Sequence, residues 1–304
     1  MVLLQLDKEK KWTKITEEDK ALLPPDEQKK VIYLDGKFWK CLEHYKHMQE
    51  KNNDVVIIIE GLEGSGKSTL QGMILEFISD GRFDPKNDLV GADYLDGLEK
   101  IERAKKRGWL GFDEGNVFFL ATETTKREHR DLHKIFSIFR QKNLFIVICL
   151  PSFFRLGTYF AIDRSVGLVR TYFKKSRKGY FCYYGRSRKD KLYTVGKRTY
   201  NPNAVKPRLK GRFTTCYKLE TQEYKNFKEN TLSTEIEKAR EKFKKPPTKF
   251  ELEQKILKDF VEKNFKYKTK ELASMLGVGE RRIQQLKKMI REDKEKKSDN
   301  SLEK

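Results

Sequence analysis

The sequence predicts an α/β fold: a mostly parallel sheet flanked by helices, extended by a β-hairpin region and joined to a small all-α domain. Residues 54–60 and 144–150 are nearly continuous runs of β-branched and aliphatic residues, the composition of strands buried on both faces. After the first run, Leu70, Met73, Ile74, Phe77 and Ile78 recur at helical spacing, giving the strand-then-helix alternation of a parallel sheet. Beyond Pro246 and Pro247 the periodicity is helical up to residue 292.

Length and charge narrow the class. The 304 residues allow one large domain plus a small one, and a net charge of +21 points to a polyanionic partner, most simply nucleic acid. A lysine-rich composition without such a partner is the plainer alternative. Cys41, Cys149, Cys182 and Cys216 lie far apart with no C-x-x-C pair, so reduced thiols are expected rather than disulfides or zinc. No apolar run approaches the ~18 residues of a membrane span, and the first residues are charged too soon for a secretory signal. A soluble, cytoplasmic protein with no membrane contact is expected.

Residues 1–50 are read as an N-terminal extension, with a turn signal at Leu23-Pro24-Pro25-Asp26 and a helix over 38–52. His44 and His47 sit three apart on that helix without a third metal ligand nearby, so they are expected on the surface.

Residues 51–165 form the expected core. Its first strand runs into Gly61-Leu62-Glu63-Gly64-Ser65-Gly66-Lys67-Ser68-Thr69, which satisfies G-x-x-x-x-G-K-[ST] at every fixed position. Gly61, Gly64 and Gly66 let backbone N–H groups, through Ser65 to Thr69, curl round a polyphosphate. Lys67 reaches the β- and γ-phosphates, and the Ser68 hydroxyl takes Mg2+. ATP with Mg2+ is the expected ligand.

A helix over 69–79 follows, ended by Gly81, then a turn at Asp84-Pro85 and a charged helix over 95–107. Trp109-Leu110-Gly111-Phe112-Asp113-Glu114 ends an apolar run in two carboxylates. Asp113 would hold the Mg2+ through water, and Glu114 would orient or deprotonate the attacking water. An ordinary strand end capping the next helix is the alternative. Residues 124–141 read as a helix with Leu132, Ile135, Phe136 and Phe139 on its apolar face. Near its end, Arg140 is either a finger reaching a neighbouring subunit's nucleotide or a solvated helix-end cation. The strand over 144–150 then stops at Pro151-Ser152.

Residues 166–215 are expected to complete the core as basic, aromatic hairpins, with strands over 166–173, 179–184 and 191–195. Arg170, Lys174, Lys175, Arg177, Lys178, Arg186, Arg188, Lys189 and Lys191 interleave with Tyr172, Phe173, Tyr180, Phe181, Tyr183, Tyr184 and Tyr193. The cations suit phosphates; the rings either stack on unpaired bases or pair across strands. Residues 216–247 read as a mixed-charge helical linker exposed to solvent.

The domain over 248–292 starts with a helix over 250–263 that places Leu252, Ile256, Phe260 and Val261 on one side. Thr269 is expected to cap a short helix, Ala273 to permit close helix contact and Gly277 to make the turn. Val278, Ile283 and Leu286 fill the core from the next helix. The stretch resembles helix-turn-helix DNA-binding domains. That resemblance implies a recognition helix bearing Glu280, Arg281, Arg282, Gln284, Gln285 and Lys288, aimed at phosphates and base edges. A helical hairpin for protein contact is the alternative. The charged tail over 293–304 is expected to be disordered.

Through Gly61 to Ser68, Asp113-Glu114 and the segment from Arg140 to Ser152, residues 50–175 resemble the P-loop ATPases of the HerA/FtsK and zonula-occludens-toxin-like group. Many of these are encoded by viruses and plasmids and act on DNA. The resemblance implies a ring-forming homo-oligomer, with Arg140 as the trans arginine. The group commonly ends the strand after the paired carboxylates in Gln; here Pro151-Ser152 stands instead, leaving Ser152 as the sensor candidate.

The expected function is therefore a DNA-binding ATPase of a virus, plasmid or other mobile element, hydrolysing ATP with Mg2+ for translocation, packaging or remodelling. Two alternatives stay open. The phosphate loop is also similar to thymidylate-kinase loops, and Asp163-Arg164-Ser165 imitates a kinase Asp-Arg motif. An ATP-switched DNA-binding regulator would use the same residues without a motor. A nuclease finds no support, because the region after residue 165 lacks the clustered carboxylates of two-metal cleavage.

Overall fold

The computed structural model describes residues 3–113, 115, 119, 140–243 and 249–302. The chain divides into two compact units, Met1–Lys238 and Ala239–Lys304.

The first unit opens with a small antiparallel sheet of order β2-β1-β3, formed by β1 (Leu3–Leu6), β2 (Trp12–Ile15) and β3 (Ile32–Tyr33). Leu4, Ile32 and Leu34 are fully buried, so this segment is part of the core rather than an appendage. Short strands separated by charged turns left little periodicity to read. Helix α1 (Gly36–Glu50) follows, capped by Asp35, whose carboxylate accepts the Lys37 N–H.

The main sheet has the order β10-β9-β8-β4-β7-β6-β5. Its strands are β4 (Val55–Glu60), β5 (Leu89–Val90), β6 (Trp109–Phe112), β7 (Phe145–Leu150), β8 (Gly167–Lys174), β9 (Arg177–Gly185) and β10 (Leu209–Arg212). From β8 to β5 all pairings are parallel; β9 and β10 add an antiparallel edge. The apolar run of β4 follows from its place between β7 and β8 with both faces covered. Val55, Ile57 and Ile59 point into one core with α1 and with α2 (Lys67–Ile78). Val56 and Ile58 point into a second core with Phe112, Phe153, Phe160 and Leu192. Two-residue alternation thus assigns every apolar side chain of the strand, Val55 to Ile59, to a hydrophobic layer.

Because these strands run parallel, Glu60, Phe112 and Leu150 all end at one edge of the sheet. Helix α3 (Tyr94–Arg103) connects β5 to β6. A one-turn helix at Pro85–Asp88 and the two-residue strand β5 occupy the region expected as a turn. The helix expected over 124–141 falls outside the described residues up to 139.

Two expectations for the first unit are corrected. Residues 191–195 are not a strand but part of helix α4 (Arg186–Gly196), which buries Lys189, Leu192, Tyr193 and Gly196 along one face. That i, i+3, i+4, i+7 stripe outweighs the local β propensity of Tyr193, Thr194 and Val195. The strand on the outer side of β9 is instead β10, with Leu209 opposite Tyr183. Second, the charged stretch after residue 220 is not merely solvated. Helix α5 (Gln222–Phe243) packs Tyr224 and Phe227 against the first core and buries Thr231.

In the second unit, α6 (Lys249–Lys263), α7 (Thr269–Leu276) and α8 (Glu280–Leu302) enclose Val261, Leu272, Ala273, Ile283, Leu286 and Ile290. Gly277 ends α7 at φ +62°, the left-handed conformation that lets the chain turn into α8. Val278 packs against this core as expected. Two details differ. Leu257 accompanies Val261 inward, whereas Ile256 and Phe260, about 100° round the helix, are exposed. Lys268, not Thr269, is the residue before α7; the Glu271 carboxylate accepts its N–H at 2.9 Å. Pro246 and Pro247 lie outside the described residues, as does the side chain of Leu252. Among the described residues no helix is long and apolar enough to cross a membrane.

Candidate nucleotide site

The loop between β4 and α2 is braced from β8. Ser65 Oγ donates to Leu62 O at 2.6 Å and lies 2.7 Å from Thr171 Oγ1, which itself donates to Glu60 O at 3.1 Å. The Ser65 hydroxyl therefore holds the loop's shape rather than facing out of it. Gly66 adopts φ +97°, and a Cβ there would come within 2.9 Å of the Phe213 ring. Only glycine meets both demands. Lys67 folds its ammonium back over the loop, donating to Gly61 O at 2.9 Å and Leu62 O at 3.1 Å. Gly64 is exposed at the crest, and Thr69 is half-buried in the first turn of α2.

Ser68 and Asp113 meet. Ser68 Oγ donates to Asp113 Oδ1 at 2.6 Å, joining the start of α2 to the end of β6. Gly111 explains the closeness: a Cβ there would lie 2.8 Å from Leu75 and 3.0 Å from Gln71 of α2. What interrupts the apolar run in sequence thus seats the helix tightly on the strand. Gln71 adds a bond of 3.0 Å to Val147 O on β7. The Asp113 carboxylate is 1% exposed, and its Oδ2 lies 2.6 Å from Lys228 Nζ of α5. Tyr224, one turn earlier, hydrogen-bonds Ser68, and burial pushes its phenol well above its usual range. A hydroxyl and a carboxylate converging at a buried point are the hard oxygen donors that suit Mg2+, so the residues present fit that ion.

The contribution of α5 was missed in the sequence. Tyr224, Phe227, Lys228 and Thr231 form an i, i+3, i+4, i+7 stripe, a signal hidden by the mixed charges around it.

Beside the loop, a cavity of about 330 Å³ is lined by Gly61, Ser152, Arg170, Phe173 and Tyr200. Ser152 is therefore at the loop's edge of the sheet. Glu60 is buried behind it; its Oε2 accepts the Phe153 N–H at 2.8 Å, and Arg170 Nε lies 3.5 Å from Oε1. Burial raises the Glu60 pKa against the lowering effects of that N–H and of Arg170.

Other candidates lie elsewhere. Arg140 is exposed in a short turn before β7, at the opposite sheet edge from the loop. Six strand residues at ~3.3 Å each separate the two edges by ~20 Å, so Arg140 is out of reach of its own chain's loop. Arg164 pairs with Asp54, which precedes β4 at that same far edge, and Asp163 is exposed. The kinase-like tripeptide is thus removed from the phosphate loop. Glu114 lies outside the described residues. Among those described, no group of three His, Cys, Asp or Glu could hold a metal, and all four cysteines are free thiols. His44 and His47 are exposed.

The basic hairpin also resolves. Phe181, Tyr183, Tyr184 and Tyr193 are buried core residues, and Tyr172 pairs with Tyr180 across the strands at 6.0 Å. The four buried rings are therefore core, while Tyr172 and Tyr180 are half-buried. Lys189 is fully buried, donating to Ala161 O and paired with Asp190, while Arg170 serves Glu60. Exposed cations remain at the tip: Lys174, Lys175, Arg177 and Lys178, beside exposed Phe173. The tip belongs to the loop's edge of the sheet, with Phe173 near Gly64.

On α8, Arg281, Gln284, Gln285 and Lys288 are exposed at i, i+3, i+4, i+7 while Ile283, Leu286 and Ile290 face the core. Arg282 is half-buried, 3.4 Å from Gln285 Oε1.

No protein-family model matches the sequence. No curated protein matches it. Among solved structures, the chain is similar to the genome packaging NTPase B204 of Sulfolobus turreted icosahedral virus 2 in complex with ATPγS. The identity is 12% over 44% of this chain and 92% of that chain, with a TM-score of 0.32. It is also similar to B204, the DNA-packaging ATPase from Sulfolobus turreted icosahedral virus, at 10% identity over 45% and 94%, TM-score 0.34. The N-terminal domain of zonular occludens toxin from Neisseria meningitidis matches at 11% identity over 47% and 90%, TM-score 0.31.

Proposed function

We propose that this protein is a Mg2+-dependent ATPase that acts on DNA. The observation that carries the reading is the 2.6 Å contact between Ser68 Oγ and Asp113 Oδ1. It unites the hydroxyl of a complete phosphate-loop motif with a carboxylate from a separate strand, as a nucleotide-bound ion requires.

In this reading the N–H groups of residues 64–69 bind the β- and γ-phosphates and Lys67 neutralises charge on them. Ser68 and Asp113 hold the ion. Bound Mg2+ would supply charge stabilisation at the transferring phosphoryl group. Glu114 orients or deprotonates the attacking water. Ser152 senses the γ-phosphate in this reading, which its position in the wall beside Gly61 supports. Arg140 can act only on another subunit's nucleotide, which requires a homo-oligomer, such as a ring. DNA is engaged by two cationic surfaces, the hairpin tip at Lys174, Lys175, Arg177 and Lys178 and the outer face of α8. The kinase reading loses its second motif, since Arg164 serves Asp54 at the far edge.

The deciding experiment measures ATPase rate with and without double- and single-stranded DNA, alongside a native mass. DNA-stimulated turnover in an oligomer is expected. Slow, unstimulated turnover with ATP-dependent assembly would favour a switch over a motor, and ADP release that depends on an added nucleoside would favour a kinase.

A further inference from the structure

The metal site has a component that neither the phosphate-loop motif nor the Asp113 strand supplies. Helix α5 brings two side chains one turn apart to the same point: Lys228 Nζ, 2.6 Å from Asp113 Oδ2, and Tyr224, hydrogen-bonded to Ser68. Resting on the nucleotide-site reading above, we infer that Lys228 is a resident counter-ion of the metal site. It neutralises Asp113 in the ion-free state and gives the carboxylate up when a divalent cation binds, so loading the site detaches this turn of α5.

The argument is electrostatic. Asp113 is 1% exposed, and a buried carboxylate left without a partner costs several kcal/mol. A cation beside it in each state, Lys228 or the metal ion, avoids that cost. Oδ1 is taken by Ser68 and Oδ2 by Lys228, so both oxygens face groups that the ion would contact or replace. An ammonium and a divalent cation on one buried carboxylate repel, and only one can remain. Lys228 is the one that can leave. Its side chain is 39% exposed and rises from a helix surface, so the ammonium can swing into water on a flexible four-carbon stem. Tyr224 follows from the same geometry: a Ser68 oxygen that ligates an ion no longer sits as it does between Asp113 and the phenol.

The consequence reaches beyond the site. Around these two contacts Tyr224 and Phe227 pack on the first core, Lys100 Nζ lies 5.8 Å from the Phe227 ring, and Thr231 Oγ1 donates to Phe227 O within the helix. The first half of α5 therefore reports whether the site is loaded, and the helix continues along the chain to Phe243.

The test uses the full chain, a non-hydrolysable ATP analogue and Mg2+ titrated at fixed analogue concentration. Lys228→Met keeps the stem and removes the competing charge; Lys228→Arg keeps a cation. Lys228→Met is expected to reach half-saturation at roughly tenfold lower Mg2+, the scale of one partly buried charge pair, while Lys228→Arg stays near wild type. Hydrogen exchange over residues 222–231 should rise in the wild type only when analogue and Mg2+ are both present. In Lys228→Met it should already be raised without Mg2+. An unchanged or higher Mg2+ requirement in Lys228→Met overturns the inference and would make Lys228 a phosphate ligand or a purely structural group. If that variant fails to fold, unchanged wild-type exchange on loading overturns it equally. Loss of analogue binding in all three proteins, with and without Mg2+, defeats the nucleotide-site reading itself; normal analogue binding with identical Mg2+ dependence defeats this inference alone.

Discussion

Ser68 Oγ and Asp113 Oδ1 are 2.6 Å apart although 45 residues of chain separate them. The contact depends on Gly111, which admits α2 close to β6, and on the parallel strands that end at one edge. If both side chains hold one ion, they act as a unit. Ser68→Ala and Asp113→Ala should each weaken Mg2+-dependent nucleotide affinity, and the double variant should lose less than the sum. A coupling of about 1–3 kcal/mol is expected, read by titrating an ATP analogue with and without Mg2+. Additive losses would separate the two residues.

Among the described residues Lys67 bonds only to carbonyls of its own loop, Gly61 O and Leu62 O, so its removal should leave the sheet intact. Lys67→Ala should lower the rate of hydrolysis by at least ~10²-fold, the scale of a lost charge-stabilising group. DNA binding in the absence of nucleotide should persist, since α6–α8 have their own core. Loss of DNA binding in parallel would contradict the two-module view.

The parts legible in the sequence were those where one local pattern decides the structure. The apolar runs of β4 and β7 announce strands covered on both faces, and the Gly66-Lys67-Ser68 spacing announces the loop between strand and helix. Where two patterns competed, the tertiary environment settled the outcome. Leu192 and Tyr193 sit in β-prone sequence yet lie on a helix, because Lys189 and Gly196 complete a buried stripe with them. Phe181, Tyr183 and Tyr184 of β9 are core rather than surface because both faces of that part of the strand are packed, with Phe181 and Tyr183 in one core and Tyr184 in the other. Nothing in the surrounding composition distinguished Lys228 from the solvated lysines beside it. Its role emerges only when Phe227 and Thr231 seat the helix and bring the ammonium to Asp113.

The outer face of α8 gives a prediction about salt. Arg281 and Lys288 are exposed and lie on the side away from Ile283, Leu286 and Ile290, so their loss should not unfold the unit. With both changed to Ala, DNA affinity should fall and the slope of log affinity against log salt should shrink by about 2, one for each phosphate contact removed. Fluorescence anisotropy at several salt concentrations measures the slope. An unchanged slope would move the DNA contact elsewhere, with the hairpin tip the next surface to test.

Glu60 ties the loop to pH. Burial is the largest influence on its carboxyl and raises the pKa above the ordinary 4.5, although the Phe153 N–H and Arg170 work against the rise. The folded chain therefore holds this proton more tightly than the unfolded chain does. The resulting stabilisation is present below the ordinary carboxylate pKa and is lost as pH rises through the higher folded value. Glu60→Gln imitates the protonated form, and its amide oxygen can still accept the Phe153 N–H. Urea midpoints of wild type and variant at pH 4 and pH 7 should thus show the difference moving in the variant's favour at the higher pH. Other carboxylates titrate equally in both proteins and cancel. A difference that stays constant between the two pH values would mean that folding leaves the Glu60 pKa where the unfolded chain has it; a difference that moves against the variant at the higher pH would mean that Arg170 keeps Glu60 ionised, and that the charge pair rather than the buried acid holds Phe153 against the phosphate-loop strand.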